Sequence, residues 1–129
     1  MSICLIAGGK AVVFAAAAFT LSWTHSVQKT RWEEDWRLTP SGLQLVQARI
    51  EGSGAGMEVP DGAVLKDGRW TYSPKLPVQE SLLLAQSGAT GEGWELCAEG
   101  RCRIVGVTPD APAEIRACRD GDAPVAADQ

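Results

Sequence analysis

The chain has 129 residues, the usual size of one domain, and 45% of them are hydrophobic and 22% charged. A domain of this length buries roughly two thirds of its unfolded surface, so it needs neither a metal nor a disulfide in order to fold. The net charge of −4 and the scattered positions of the twelve Lys and Arg residues argue against a nucleic-acid-binding protein, because phosphate binding needs a clustered basic surface.

The N-terminal segment is apolar on both sides of a glycine pair. Ile3–Ile6 precede Gly8-Gly9, and the alanine-rich Ala11–Ala18 follows Lys10. The charge placement is wrong for a signal peptide, and the apolar run is too short to span a bilayer. The pattern predicts strand, turn, strand in a protein that is not integral to a membrane. From the chain as written we expect a cytoplasmic location; an extracytoplasmic one would require a missed upstream start or another export route.

Two neighbouring segments alternate between side-chain types, as strands with one buried face do. In Phe19–Val27 the odd positions are apolar, apart from the only histidine, and the even positions carry hydroxyls. In Arg31–Leu38 the even positions hold two tryptophans, a glutamate and a leucine. The odd positions form a charged row that we expect to be a solvated strand face, with a docking edge for a partner protein as the alternative: Arg31, Glu33, Asp35 and Arg37.

These two segments predict a hairpin with a defined register. With Gln28–Arg31 as a four-residue loop, directly opposed residues share the apolar face. The predicted pairs are Val27 with Trp32, His25 with Glu34, and Trp23 with Trp36. A slip of one residue would turn the tryptophans outward, so the pattern itself resists such a slip.

Further strands and frequent turn signals complete the chain. Leu43–Ile50 predicts a third strand, with Leu43 and Leu45 on one side and Val46, Ala48 and Ile50 on the other. Lys66–Arg69 is a compact Asp-Gly turn between two more strands, and Leu82–Gln86 favours a strand. This rhythm predicts an all-β fold, a single-domain antiparallel sandwich or partly open barrel of about 8–10 short strands. Residues 1–119 are expected to form that domain and residues 120–129 a flexible tail.

The four cysteines can form disulfides, remain free thiols or bind zinc. Cys97 and Cys102 flank a turn and can face each other across a hairpin, and Cys4 and Cys118 can staple the chain ends. Free thiols are the alternative to these two disulfides. A four-cysteine zinc site has weaker support, because structural zinc draws on tighter pairs. The sequence implies no cofactor.

His25 and Glu34 are the sharpest candidate for chemistry. A carboxylate beside an imidazole raises its pKa and fixes its tautomer, which suits a general base or a ligand-orienting group. The alternative is a polar pair inside a tryptophan-rich core. Ser26 points to the other face, so no Ser-His-Glu triad assembles, and a metal site would need further ligands, for which Glu58 is a candidate.

The segment Gly52–Glu58 is a second candidate. A glycine-rich loop can present backbone N–H groups to a carboxylate or carbonyl group. The segment lacks the spacing and the lysine of a phosphate-binding loop, and no helix follows it to make a dinucleotide site. A tight bulged turn is the structural alternative.

Three stretches resemble one family: Phe19–Thr30 with its His-Ser-Val-Gln-Lys-Thr core, Trp32–Trp36, and Gly52–Glu58 with its Gly-Ser-Gly-Ala-Gly loop. Over roughly Ile3–Cys102 the chain is similar to the bacterial domain of unknown function numbered 1850. The resemblance implies a gene neighbourhood with permeases of TRAP-type transporters that use TAXI-type solute receptors. The family pattern falls on His25, Ser26, Lys29, Glu34, Gly54 and Gly56.

The resemblance implies a non-catalytic accessory or binding module of a TRAP-type solute uptake system. Its expected partners are a transporter permease or a solute receptor. The first alternative is a small β-barrel that binds an organic acid or a metal directly, through His25, Glu34 and the glycine loop. The second alternative is a hydrolase that depends on His25, which would need an exposed His25 with a Ser or Cys within hydrogen-bond reach.

Overall fold

The computed structural model describes residues 1–24, 30–51, 62–88, 91–119 and 122, and the backbone of 124–126. These residues form strands joined by turns, which confirms the all-β fold class. None of them forms a helix long and apolar enough to cross a membrane. The strands are β1 Ile3–Ala7, β2 Lys10–Phe14, β3 Ala18–Thr24, β4 Arg31–Thr39, β5 Gly42–Glu51, β6 Val64–Lys66, β7 Arg69–Tyr72, β8 Ser81–Gln86, β9 Trp94–Ala98, β10 Arg101–Val105, β11 Asp110–Ala117 and β12 Pro124–Ala126.

The strands form two sheets that pack as a sandwich. One sheet has five strands in the order β12-β2-β1-β11-β8, and the other has seven in the order β10-β9-β3-β4-β5-β7-β6. Neighbouring strands within the described residues are antiparallel, except that β12 pairs parallel with β2. The sandwich is therefore the correct form of the two that the sequence allowed.

The core lies between the inner faces of the two sheets. Ile3, Leu5 and Ile115 come from the five-stranded sheet, and Leu43 and Leu96 from the seven-stranded one, and each is at most 2% exposed. At about 25 cal/mol per Å² of buried apolar surface, this shared cluster is the main source of stability for the fold.

A bulge in β5 changes the side-chain phase that the sequence predicts. Asp35 pairs with Gln47 and Trp36 pairs with Leu45, so Val46 has no directly opposed partner on β4. The extra residue reverses the alternation beyond it. Leu43, Leu45, Ala48 and Ile50 consequently all face the core, while Val46 is 44% exposed. The predicted placement of Leu43 and Leu45 on the opposite side from Ala48 and Ile50 is wrong for this reason.

Two short turns have the backbone conformation that suits a glycine at the second position. Asp67 and Gly68 have φ values of 53° and 77° and connect β6 to β7 as a two-residue turn. Glu99-Gly100 connects β9 to β10 in the same way, with φ values of 52° and 79°. Positive φ at both central positions matches the right-handed twist of the paired strands, which explains the glycine at the second position.

Within residues 120–129 the structure describes Asp122 and the strand β12. β12 adds to the edge of the five-stranded sheet beside β2. Asp122 accepts hydrogen bonds from both Nη atoms of Arg116, at 2.9 and 2.8 Å, and from the Arg119 backbone N–H. These contacts hold Asp122 against β11.

Candidate ligand-binding face

All five tryptophans and the single tyrosine of the chain lie on the inner face of the seven-stranded sheet. Four of the tryptophans share one row across the sheet, here called the tryptophan row. Within it, Trp94, Trp23, Trp32, Ile50 and Trp70 lie opposite one another in register on β9, β3, β4, β5 and β7. Directly opposed residues on adjacent strands share a face, so Trp94, Trp23 and Trp32 form a continuous aromatic surface, and Ile50 separates it from Trp70.

Three rings of the tryptophan row contact one another. Trp23 stacks on Trp32 with ring centroids 6.1 Å apart and packs against Trp94 at 4.9 Å with a tilt of 47°. Trp94 Nε1 donates a 2.9 Å hydrogen bond to the backbone carbonyl of Ala85 on β8 and so connects the two sheets. All four indoles are half-buried, which leaves part of each accessible to solvent.

Trp70 brings a buried polar atom to the row. Its Nε1 is inaccessible to solvent and has no hydrogen-bond partner in the part of the chain that the structure describes. A buried N–H donor without an acceptor costs about 1–3 kcal/mol. Trp70 is therefore the member of the row that gains most from an acceptor group.

Glu34 lies in the adjacent row, between the tryptophan row and the core. Its neighbours across the sheet are Leu21 and Ala48, and Tyr72 lies beyond Ala48. Trp36 Nε1 donates a 3.1 Å hydrogen bond to Glu34 Oε1. Burial raises the pKa of the Glu34 carboxyl, and the Trp36 hydrogen bond offsets only part of that effect. The pKa of Tyr72 is also raised, first by burial and then by the charge of Glu34.

The register of the β3–β4 hairpin differs from the prediction. Trp23 lies opposite Trp32, Leu21 opposite Glu34, and Phe19 opposite Trp36. The predicted pairs of Trp23 with Trp36, His25 with Glu34 and Val27 with Trp32 are wrong, because Arg31 belongs to β4 and pairs with Thr24. The shift is by an even number of residues, so it preserves the aromatic face.

Most of the predicted site residues lie outside the described part of the chain: His25, Ser26, Lys29, Gly54, Gly56 and Glu58. Glu34 is the one whose surroundings the structure gives. Thr24 and Glu51, from which the chain continues into 25–29 and 52–61, both lie at the end of the sheet that carries the tryptophan row.

The outer face of the same sheet carries an ion-pair network. Arg49 donates two hydrogen bonds to Asp35, at 2.6 and 3.0 Å, and one to Glu33 at 3.1 Å. Arg69 donates to the same Glu33 oxygen at 2.7 Å, and the Thr20 hydroxyl donates to Asp35 at 2.9 Å. Hydrogen bonding to Arg49 is the main reason that the pKa of Asp35 is lowered.

The predicted solvated charged row is thus partly buried and paired. Arg31 contacts Ser22 at 2.8 Å and Glu95 at 3.2 Å, whereas Arg37 is exposed and contacts only the side chain of Gln44 in the hydrogen bonds described for it. Beside the network is an open depression of about 590 Å³ lined by Gln47, Arg49, Val64, Lys66, Asp67, Arg69 and Thr71.

Two disulfides pair all four cysteines. Cys4–Cys118 joins β1 to the residue after β11, with Cα atoms 5.0 Å apart, and Cys97–Cys102 joins directly opposed residues of β9 and β10, with Cα atoms 4.1 Å apart. Carboxylate oxygens lie within 4.8 Å of the sulfurs in both cases, from Asp122 and Glu95 respectively. With the sulfurs bonded to each other, neither cluster has free thiolates to offer a metal.

The sequence model of the DUF1850 family, a domain of unknown function, matches residues 19–104, which are more than half of the 129 residues. The chain belongs to the DUF1850 family. No curated protein and no solved structure gives a significant match to it.

The DUF1850 match maps onto one layer of the fold. It begins in β3 and ends in β10, and it includes every strand of the seven-stranded sheet. Of the five-stranded sheet it includes only β8. The tryptophan row, Glu34 and the Cys97–Cys102 disulfide therefore lie within the DUF1850 region, and the Cys4–Cys118 disulfide lies outside it.

Of the aromatic residues on this face, the predicted hairpin included Trp23, Trp32 and Trp36, although none of these was a predicted site residue. Sequence reasoning placed Trp70, Tyr72 and Trp94 in neither the hairpin nor the site. Trp70 follows the Asp-Gly turn and Trp94 alternates with Leu96, so local patterns place both on strands. Their position beside Trp32 and Trp23 depends on the order of the strands in the sheet, which neither segment specifies by itself.

Proposed function

We propose that this protein is a non-catalytic accessory module of a TRAP-type solute uptake system and acts in an oxidising, extracytoplasmic compartment. The pairing of all four cysteines in two disulfides is the observation that supports an extracytoplasmic location. Disulfides persist in secreted and periplasmic proteins and are rare in the reducing cytosol.

The association with a transporter rests on the family. The resemblance to DUF1850 sequences implies genes next to TRAP-type permeases, and the family match supports that resemblance over residues 19–104. An extracytoplasmic module would have access to the solute receptor and to the outer surface of the permease. These are the partners we propose.

The experiment is co-purification from detergent-solubilised membranes. A tagged copy of this chain is expressed with the neighbouring permease and receptor, and it is recovered in the presence and absence of transported solute. We expect the permease or the receptor to be recovered with it. If neither associates under any solute condition, the proposed role is wrong.

Thiol trapping in intact cells tests the compartment separately. Growing cells are quenched in acid, their proteins are unfolded in denaturant and alkylated with a maleimide, and the modified cysteines are mapped by mass spectrometry. We expect the Cys4–Cys118 pair to be protected unless a reductant is added first. Free Cys4 and Cys118 in growing cells would contradict the extracytoplasmic location without bearing on the transporter association.

Direct binding of a small organic acid is a second candidate function, favoured by Glu34 and the tryptophan row. Burial raises the pKa of the Glu34 carboxyl, so it holds its proton to a higher pH than an exposed glutamate does, and the protonated form can donate a hydrogen bond to the carboxylate of a ligand. The half-buried indoles offer flat apolar contact area on the same face.

Tryptophan fluorescence titrations with a panel of mono- and dicarboxylic acids test this second function. Saturable quenching should weaken at least about tenfold in Glu34→Ala, a loss of about 1.4 kcal/mol in binding free energy. Arg37→Ala, an exposed change on the other face of β4, is the matched control and should bind like the natural protein. Equal affinities for all three proteins would exclude Glu34 from any binding site.

A further inference from the structure

The two disulfides differ sharply in their surroundings. Cys4 is 0% exposed and lies on β1, which is flanked by β2 and β11 in the five-stranded sheet, and its partner Cys118 is half-buried. Cys102 is exposed and lies on β10, the edge strand of the seven-stranded sheet, and its partner Cys97 is half-buried. Rates of thiol–disulfide exchange depend on the access of a thiolate to one of the sulfurs.

The direction from which the thiolate must approach adds to the difference in accessibility between the two disulfides. The attacking thiolate approaches along the S–S axis, opposite the sulfur that leaves. Cys97 and Cys102 are directly opposed, so the S–S bond bridges β9 and β10. Behind Cys97 lies Thr20 on β3, whereas Cys102 lies on the edge strand, with no strand of the described chain beyond it.

The surface beside this disulfide can receive a partner. Ile104, the next residue on the same face of β10, is 54% exposed, and an open depression of about 330 Å³ reaches from Cys97 across Thr20 to Asp35. Edge strands offer unpaired backbone groups to an extended peptide. Both contacts are available to a protein that carries the attacking thiol.

We propose that Cys97–Cys102 is a site of thiol–disulfide exchange with a dithiol protein, and that Cys4–Cys118 is a permanent cross-link. A thiolate of the dithiol attacks Cys102 Sγ, forms a mixed disulfide and releases Cys97 as a thiolate, which takes a proton from solvent. The second thiol of the partner then attacks the partner's own sulfur in the mixed disulfide and releases Cys102. The partner is oxidised to its disulfide, and the two electrons reduce Cys97 and Cys102 to thiols.

The experiment measures reduction of the full chain by dithiothreitol. Samples are taken over time in native buffer, quenched with an alkylating agent and mapped by mass spectrometry. We expect Cys97 and Cys102 to be alkylated at least about tenfold faster than Cys4 and Cys118. Equal rates, or faster reduction of Cys4–Cys118, would overturn the proposal.

Two further measurements test whether the fold causes the difference in reduction rate and whether Cys102 is the sulfur that is attacked. In urea sufficient to unfold the chain, the difference in rate should disappear, and a persistent difference would show that the fold is not its cause. With the monothiol glutathione, the mixed disulfide should form on Cys102. Its formation on Cys97 would contradict the proposed direction of attack.

Discussion

Trp23 lies directly opposite Trp32, and their indole rings stack with centroids 6.1 Å apart and an interplanar angle of 22°. In this register of the β3–β4 hairpin, Glu34 lies opposite Leu21. The alternation of apolar residues alone does not choose between this register and one that is shifted by an even number of residues.

A double-mutant cycle tests this register. Trp23→Ala and Trp32→Ala should show a coupling free energy of about 0.5–1.5 kcal/mol in unfolding by urea, as expected for an aromatic pair in contact. Trp23→Ala with Trp36→Phe is the matched control. It should be additive to within about 0.5 kcal/mol, because Trp36 stacks on Phe19 instead. Strong coupling of Trp23 to Trp36 would favour the register predicted from the sequence.

Glu34→Gln should stabilise the protein at neutral pH. The pKa of Glu34 is raised above its ordinary value of 4.5 by burial, so the folded state holds the proton more tightly than the unfolded state. The carboxyl thus contributes stability that is fully present below pH 4.5 and is lost as the pH rises through the folded pKa. Urea unfolding between pH 4 and 8 should show this decline in the natural protein and a flatter profile in Glu34→Gln.

Glu33→Gln is the matched control for Glu34, since it lies on the same strand and faces the other way. It weakens hydrogen bonds from Arg49 and Arg69 at 3.1 and 2.7 Å, so it should destabilise the protein at neutral pH. Opposite signs for the two variants are expected. A loss of stability in Glu34→Gln comparable to that in Glu33→Gln would refute the buried, raised-pKa description of Glu34.

Arg49→Ala should destabilise the protein by about 1–3 kcal/mol, because it removes the hydrogen bonds to Asp35 and Glu33. The pKa of Asp35 is lowered below 3.8, chiefly by Arg49, so its contribution is present above pH 3.8 and is lost as the pH falls through the folded pKa. The free energy of unfolding, measured between pH 2 and 6, should therefore fall less steeply with decreasing pH in Arg49→Ala than in the natural protein.

Arg37→Ala is the comparison for Arg49, because its side chain is exposed and contacts only Gln44 in the hydrogen bonds described for it. Its effect on the free energy of unfolding should stay within about 0.5 kcal/mol. If the two arginine variants lost equal stability, the network around Arg49 would contribute no more than an ordinary surface contact.

Removal of the two disulfides should have unequal effects on stability. Cys4–Cys118 closes a chain segment with a sequence separation of 114, and Cys97–Cys102 one with a separation of 5. The chain-entropy argument gives about 4.7 kcal/mol for a loop on the order of 100 residues and roughly 2 kcal/mol for a very short one. The double serine variant at Cys4 and Cys118 should therefore have a much lower midpoint of thermal unfolding than the double serine variant at Cys97 and Cys102. A larger loss of stability in the variant at Cys97 and Cys102 would contradict this argument.

The sequence by itself determined that the chain forms strands and which face β3 and β4 bury. Period-two alternation in residues 19–24 and 31–38 depends only on the geometry of a single strand, so it remains valid in either register. The Asp67-Gly68 turn was predictable for a similar reason, since positive φ at both positions suits those residue types. The pairing of Cys97 with Cys102 was one of the alternatives, because a short turn already holds the two residues close together.

Tertiary structure alone decided the register, the bulge and the order of the strands. Trp23 pairs with Trp32 because the whole sheet must align, including Trp94 on β9 and Ile50 on β5. The bulge at Val46 brings Leu43 and Ile50 to the same core, a gain in buried apolar area that no local rule reveals. Trp70 and Trp94 join one aromatic face through pairings between residues distant in the chain, and such pairings are selected by the packing of the complete sandwich.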